Sequence, residues 1–284
     1  MEEPVFLITG AGGYLGRRLV ARAGAIGRVV AVHHREPSSA SGEVALVDVA
    51  DPNAVRELVE RVRPSAIVHA AAVNPGQGDD DLMERVNVGG SRNVAEAAKA
   101  VGVRLVAVST DIVHDGHAGP YADDVPSTPI NTYGRTKAAG EEAVLSVDPS
   151  AVVVRTSLMY GLDEMDRGTA GFAERILRGE TVSLFSDVQR NPVEVDVLAD
   201  ALLAFCAVEY AGLLNVAGSQ ALTREEFGRK MLAHWEIESE GLIQPVLARE
   251  ISDSIPLDVR LISTRAEHLL GTTFPGVDEV LSRT

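Results

Sequence analysis

Cysteine is nearly absent. Cys206 is the one such residue in 284, so no disulfide can form within the chain, and a reducing compartment is the simpler setting. Long apolar runs are missing as well. The first residues, MEEPVFLITG, are acidic where a secretory leader would be basic, and their apolar stretch is far too short to cross a bilayer. Positive charge is scarce: 26 Lys and Arg stand against 41 Asp and Glu, a formal net charge of -15. That balance argues against holding nucleic acid or an anionic membrane through a general basic field. No repeat, coiled coil or low-complexity tail is visible. The expectation is a cytoplasmic protein without nucleic-acid or membrane partners, in which any anionic small molecule is held locally by backbone N–H groups or a few Arg and Lys.

Hydrophobic residues, in contrast, make up 45% of the chain, enough for a substantial core. The stretches VFLITG (5–10), VVAVHH (29–34), VALVDV (44–49), AIVHAAA (66–72), VRLVAVST (103–110) and SAVVVRTS (150–157) are short, valine-rich and continuous, as strands buried on both faces are. Between them, 15–24, 51–62 and 87–102 carry apolar residues at helical spacing, and Asp51-Pro52 reads as an N-cap followed by a first-turn proline. Strand and helix alternate for about 155 residues, which implies an α/β fold with a Rossmann-type doubly wound parallel sheet. Beyond it the pattern changes: helices are expected around 171–179, over 195–209, from Leu222 with Thr223 and Glu226 as a capping box, and over 263–271, with a further buried strand at GLLNVAG. A small, mostly helical C-terminal substrate lobe is therefore expected. Residues 1–157 form the dinucleotide-binding domain, completed by about 190–217, while 158–189 and 218–284 form the lobe.

The first strand runs into TGAGGYLGRRLV. Gly10 permits the tight turn, Gly13 lets backbone approach a phosphate and Gly16 lets the following helix pack on the strand, while the helix N-terminus faces the anion. The Lys-Ser/Thr of an ATP-binding loop is missing, so a dinucleotide is the better ligand. At the end of the second strand an acidic residue would suit NAD; here His33, His34 and Arg35 precede Glu36, which favours NADP, with NAD as the alternative. Asp48 stands where it can accept from an adenine amino group, and Ala70, Ala71 and Ala72 are small enough for a cofactor to pass above the sheet. Tyr14, Leu15 and Val49 complete the expected cofactor contacts.

In YADDVPSTPINTYGRTKAAGEE, Tyr133 and Lys137 fall one turn apart on a helix. A free phenol, with pKa near ~10, is a poor acid-base group at neutral pH, and a neighbouring ammonium favours its phenolate. Ser109 and Thr110 end a central strand and can reach the same carbonyl oxygen. With GxxGxxG, the strand-end Ser/Thr and YxxxK together, the chain resembles the extended short-chain dehydrogenases/reductases, and within them the dTDP-4-dehydrorhamnose reductase group. STDIVHDG (109–116), the segment 120–142, VVRTSLMYG (153–161), VEVDVLADALL (193–203) and 255–271 carry the likeness over nearly the whole chain.

The resemblance implies a reductase of the 4-keto group of a nucleotide-linked 6-deoxysugar. In it Thr110 bonds the substrate carbonyl, Tyr133 gives the proton, and Lys137 orients the nicotinamide ribose and lowers the tyrosine pKa. Asn87 is counted with the cofactor residues as a support of the active-site backbone, and the sugar nucleotide lies between main domain and lobe. Departures from the group fall at VNPGQGDDD (73–81), Ile112, His114, Leu158, Asn191-Pro192-Val193 and Ile255-Pro256, and all are expected on the substrate side. Arg155, Arg178 and Arg190 are the candidates for a diphosphate. No metal is expected: Asp111, His114, Asp115 and His117 sit in a loop without clear ligand spacing. Cys206 and Trp235 read as packing residues, and GDDD as a solvated helix start. An epimerase or small-carbonyl reductase, or a non-catalytic NADP-binding regulatory protein, are the alternatives; a homodimer is expected on general grounds.

Overall fold

The computed structural model describes residues 3–36 and 42–283. Seven parallel strands form the central sheet: β1 (Val5–Thr9), β2 (Arg28–His33), β3 (Glu43–Leu46), β4 (Ala66–His69), β5 (Arg104–Thr110), β6 (Val152–Thr156) and β11 (Gly212–Val216). Their order is β11-β6-β5-β4-β1-β2-β3, so the chain reverses direction across the sheet between β1 and β4. Such a switch point opens a crevice at the carboxyl ends of the strands. Alternate residues of each strand serve opposite faces: Phe6 and Ile8 join one core with α1 (Tyr14–Ala23) and α7 (Val195–Phe205), while Leu7 joins the other with α2 (Pro52–Val62) and α4 (Ser91–Val101). Burial on both faces is why the strands read as continuous valine runs.

The helices begin where local chemistry starts them. The Asp51 carboxylate accepts from the N–H groups of Asn53 and Ala54 ahead of α2. Thr223 and Glu226 form the reciprocal capping box of α8 (Arg224–His234), at 3.0 and 2.7 Å. The helix expected over 87–102 starts earlier: Asp79 caps α3 (Asp80–Met83), which runs through a wide turn at Glu84–Gly90 into α4. The lobe is less helical than expected. Beside α6 (Arg167–Leu177), α8 and α10 (Val277–Leu281) it holds the paired strands β8 (Val182–Phe185) and β13 (Ile243–Val246), with β9 (Gln189–Arg190) against β12 (Leu222–Thr223). β7 (Met159–Tyr160) and β10 (Val193–Glu194) form a third such pair, and α9 (Thr264–Leu270) packs beside β11. Two-residue strands leave no periodicity to read, and their partners lie far away in sequence.

α5 (Thr132–Val147) is tied to the sheet by a buried ion pair. Arg155 of β6 donates from Nε to Glu141 Oε1 at 3.0 Å and from Nη2 to Oε2 at 2.7 Å, while Ser109 of β5 donates to Oε1 at 2.5 Å. The remaining guanidinium donors reach Ser127 Oγ and the Val125 carbonyl. Removing one partner of such a pair leaves a buried charge without compensation. Arg155→Met is therefore expected to lower unfolding free energy by about 3–5 kcal/mol, read from urea denaturation.

Candidate active site

A cleft of about 1410 Å³ opens along the carboxyl edge of the sheet, from the glycine loop and the end of β2 to Thr110, Tyr133 and Arg190. At its first end the backbone leaves no room for side chains. A Cβ on Gly16 would lie 2.0 Å from the Gly10 carbonyl oxygen, and one on Gly10, whose φ is +70°, would lie 2.7 Å from the Ala70 carbonyl carbon. α1 thus packs directly on the loop that ends β1. Its N-cap, Gly13, offers no capping side chain, so the first-turn N–H groups are free to meet an anion.

Gly10, Gly13, Tyr14, Leu15, Gly16, His34, Arg35, Asp48, Val49, Ala70, Ala71 and Ala72 all line this cleft, as do Thr110, Tyr133 and Lys137. Asn87 does not. Only 1% exposed, it brackets Val73, accepting from its N–H at 2.8 Å and donating to its carbonyl at 3.0 Å, and it also donates to Thr136 Oγ1. It therefore shapes the loop after β4 and lies off the cleft wall, which corrects its place among the residues expected to line the cofactor site. The registers of β1 with β4 and of β5 with β6 set Thr9 beside His69 and Thr110 beside Thr156 along this edge.

Beneath the loop after β4, His69 is held by both ring nitrogens: Nδ1 lies 2.7 Å from Thr9 Oγ1 and Nε2 lies 3.1 Å from Ser91 Oγ. Ser91 donates to the Asn87 carbonyl, and Thr9 Oγ1 accepts from the Ala71 N–H. The donors therefore run one way, with the proton on Nε2 and Nδ1 accepting from Thr9. Burial, with Lys137 nearby, pushes this imidazole down to about 3.

At the other end, Asn131 caps α5 by accepting from the Gly134 N–H at 2.8 Å, and the helix presents Tyr133 and Lys137 to the cleft. The Lys137 ammonium donates to the Val108 carbonyl at 2.8 Å; burial lowers it to about 8, opposed by Glu141. Tyr133 moves opposite to expectation. Burial first, then the Asp111 charge, pushes its phenol up to about 12, against the Thr110 hydrogen bond and Arg190. In this geometry the phenol stays protonated at neutral pH.

Asp111, which the sequence presents only as a possible metal ligand, is a hub of the cleft. At 1% exposure it accepts from Arg190 Nη1 at 2.8 Å, Ser157 Oγ at 2.7 Å and Thr110 Oγ1 at 3.2 Å. Its position directly after the strand-end Thr110 was the available signal. Of the three candidate arginines only Arg190 lines the cleft: Arg155 is consumed by Glu141, and Arg178 pairs with Glu180 on the surface. Arg224, which nothing in the local sequence marked, lies beside Arg190 because β9 and β12 pair; burial and that like charge push it down to about 10.

The substitutions expected on the substrate side divide. Val73–Gln77, Ile112 and Leu158 line the cleft, but His114 does not. It is wholly buried and stacks on Tyr121 with ring centroids 3.9 Å apart. Asn191 accepts from the Leu261 N–H, and Pro256 packs beside Gly116, both away from the cleft wall. Gly78 and the acidic residues Asp79, Asp80 and Asp81 also stay off that wall. Cys206 ends α7 with its thiol pushed up to about 12 by burial, and Trp235 packs on the Tyr160 cluster. Among the described residues no group of three His, Cys, Asp or Glu could hold a metal ion, and no helix is long and apolar enough to cross a membrane.

The fold and cleft together define a dinucleotide-binding α/β protein with a Tyr–Lys pair at the sheet edge. The chain belongs to the family described as the RmlD substrate binding domain, whose model matches residues 5–282. It is 37% identical over 219 residues to a dTDP-4-dehydrorhamnose reductase of Streptomyces griseus, covering 74% of this chain and 67% of that one. It is also 38% identical over 234 residues to methionine adenosyltransferase 2 subunit beta of Rattus norvegicus, covering 77% and 70%. The crystal structure of dTDP-4-dehydrorhamnose reductase from Bacillus anthracis in complex with NADP superposes with a TM-score of 0.83 at 25% identity, covering 99% of this chain and 98% of that one.

Burial lowers the His114 imidazole to about 4, with the Arg155 charge adding to it. Unfolded imidazoles titrate near ~6.5, so below that pH the unfolded chain binds protons that His69 and His114 refuse in the fold. Stability is then full above about pH 6.5 and falls toward about pH 4, by about 1.4 kcal/mol per pH unit for each imidazole. His114→Phe is expected to flatten that slope, measured as urea midpoints between about pH 7 and 5.

Proposed function

We propose that the chain is an NADP(H)-dependent oxidoreductase that reduces the 4-keto group of a nucleotide-linked 6-deoxysugar. The observation that carries this reading is the convergence of Thr110, Tyr133 and Lys137 on one end of a cleft whose other end is the glycine loop. The cleft exceeds the usual ~300–1,000 Å³ of a single-ligand pocket, as a site for both cofactor and substrate requires. The backbone contacts of Gly10 and Gly16 and the uncapped first turn of α1 fit a dinucleotide. His34 and Arg35, exposed at the end of β2 with no acidic residue before Glu36, favour the 2′-phosphorylated form over NAD(H).

When bound, the nicotinamide supplies hydride to the carbonyl carbon. Tyr133, held protonated by burial and Asp111, gives its proton to the carbonyl oxygen, and Thr110 bonds that oxygen beforehand. Lys137 keeps its charge beside the cofactor ribose because Glu141 offsets part of the cost of burial. Arg190, on the cleft wall, faces the substrate diphosphate, where planar guanidinium donors suit phosphate oxygens. Residues 1–157, with about 190–217, act as the dinucleotide-binding part, and 158–189 with 218–284 as the substrate lobe. β11 completing the sheet supports that division.

A non-catalytic regulatory subunit is the second reading, favoured by the likeness to methionine adenosyltransferase 2 subunit beta and by Leu158 and Ile112 on the cleft wall. NADPH consumption with dTDP-4-keto-6-deoxy-L-mannose separates the two. Sugar-dependent turnover that drops about 10²–10⁴-fold in Tyr133→Phe, with cofactor binding kept, is the expected result. Binding of NADPH without turnover of any nucleotide-linked ketosugar would leave the regulatory reading.

A further inference from the structure

Arg17 has a place in the cleft that neither the glycine motif nor the Tyr–Lys pair explains. It follows Gly16 in the first turns of α1, and its Nη1 donates back to the Gly12 carbonyl at 2.9 Å, which holds the guanidinium over the glycine loop. Its other terminal nitrogen is taken by Glu164, a residue of the loop between β7 and α6. That loop is strapped to α1 at two further points: the Tyr14 hydroxyl donates to the Glu164 carbonyl at 2.9 Å, and Arg18 holds Asp163. Glu164 and Asp166 line the cleft beside Gly12, Gly13 and Arg17. The Glu164 carboxylate thus shares the cleft wall with the start of α1, where a phosphate would carry the same sign of charge.

The Arg17–Glu164 pair is weak by its exposure, with side chains 49% and 45% accessible. Exposed ion pairs contribute little net free energy. A phosphate oxygen presented to the same guanidinium brings more charge and two acceptors in the guanidinium plane. Arg18 cannot make that exchange, because its side chain is mostly covered and it points to Asp163 and Asp196.

We propose that Arg17 is a phosphate ligand of the dinucleotide cleft, occupied by Glu164 until a cofactor phosphate displaces the carboxylate. This rests on the reading that the cleft takes a dinucleotide. The displacement breaks the Arg17–Glu164 pair and the longer 3.9 Å approach of Glu164 to Arg18, while the Tyr14 hydrogen bond and the Arg18–Asp163 pair remain, so the loop stays attached but loses its carboxylate contact with the phosphate site. Both the pyrophosphate and a 2′-phosphate offer the required chemistry, since Gly12 lies between α1 and the His33 ring at the end of β2.

Calorimetric titration of the full chain with NADPH and with NADH tests the assignment on Arg17→Gln, Glu164→Gln and the double variant. Arg17→Gln is expected to weaken binding about tenfold, the scale of a charge-assisted phosphate contact in a half-exposed setting. Loss for both dinucleotides assigns Arg17 to the pyrophosphate; loss for NADPH alone assigns it to the 2′-phosphate. Glu164→Gln is expected to tighten binding several-fold, and to do so less when Arg17 is already Gln. Unchanged affinity of Arg17→Gln for both ligands, or weaker binding by Glu164→Gln, would overturn the proposal while leaving the cofactor reading intact. Failure of the unaltered protein to bind either dinucleotide would overturn both.

Discussion

Glu141 is the residue on which the geometry of the Tyr133–Lys137 end of the cleft depends. Its carboxylate accepts from Arg155 of β6 and Ser109 of β5, so one side chain of α5 is fixed to two neighbouring strands at once. Tyr133, Lys137 and Glu141 recur at four-residue intervals along the same helix, and residues so spaced share a face. Anchoring the third member therefore sets the height and rotation of the other two above the sheet edge. Glu141 acts electrostatically as well: it is the charge that opposes the loss of the Lys137 proton. A buried pair is weak support for stability in itself, but here it orients the functional face of the helix.

The electrostatics of the cleft differ between its ends. Around the glycine loop, backbone N–H groups provide positive potential and the side chains nearby are balanced by the acidic loop at 163–166. Around Tyr133, a buried carboxylate and two arginines share a small volume, with Asp111 between Thr110 and Arg190. Asp111 favours the protonated phenol. Arg190 sets a like charge beside Arg224 and lowers its pKa. A chain with net charge -15 thus keeps anion-binding capacity where its few cations converge.

Likeness to both reductases and a methionine adenosyltransferase subunit is consistent with a scaffold on which activity depends on local residues. The cofactor end rests on main-chain geometry that glycine alone permits, and side-chain changes elsewhere leave it untouched. The cleft wall near Tyr133 is made of side chains such as Ile112 and Leu158, which can vary without disturbing the sheet. His114 belongs to neither group. Its stacking on Tyr121 makes it part of the interior.

Local sequence determined the doubly buried strands, the caps at Asp51 and Thr223, the glycine turn and the Tyr133–Lys137 spacing, because each depends on residues a few positions apart. Doubly buried strands appear as unbroken valine runs, and a turn at positive φ beside a close backbone contact demands glycine. The tertiary structure decided what depends on distant partners. It set which arginine faces the cleft, since Arg155 meets Glu141 only when α5 lies on β6, and Arg224 reaches Arg190 only through β9 and β12. It moved Asn87 and His114 off the cleft, made Asp111 a hub, and raised the Tyr133 phenol where the neighbouring lysine alone had suggested a fall. Burial and through-space charge depend on the whole fold, so helical spacing can bring two side chains together without revealing the field around them.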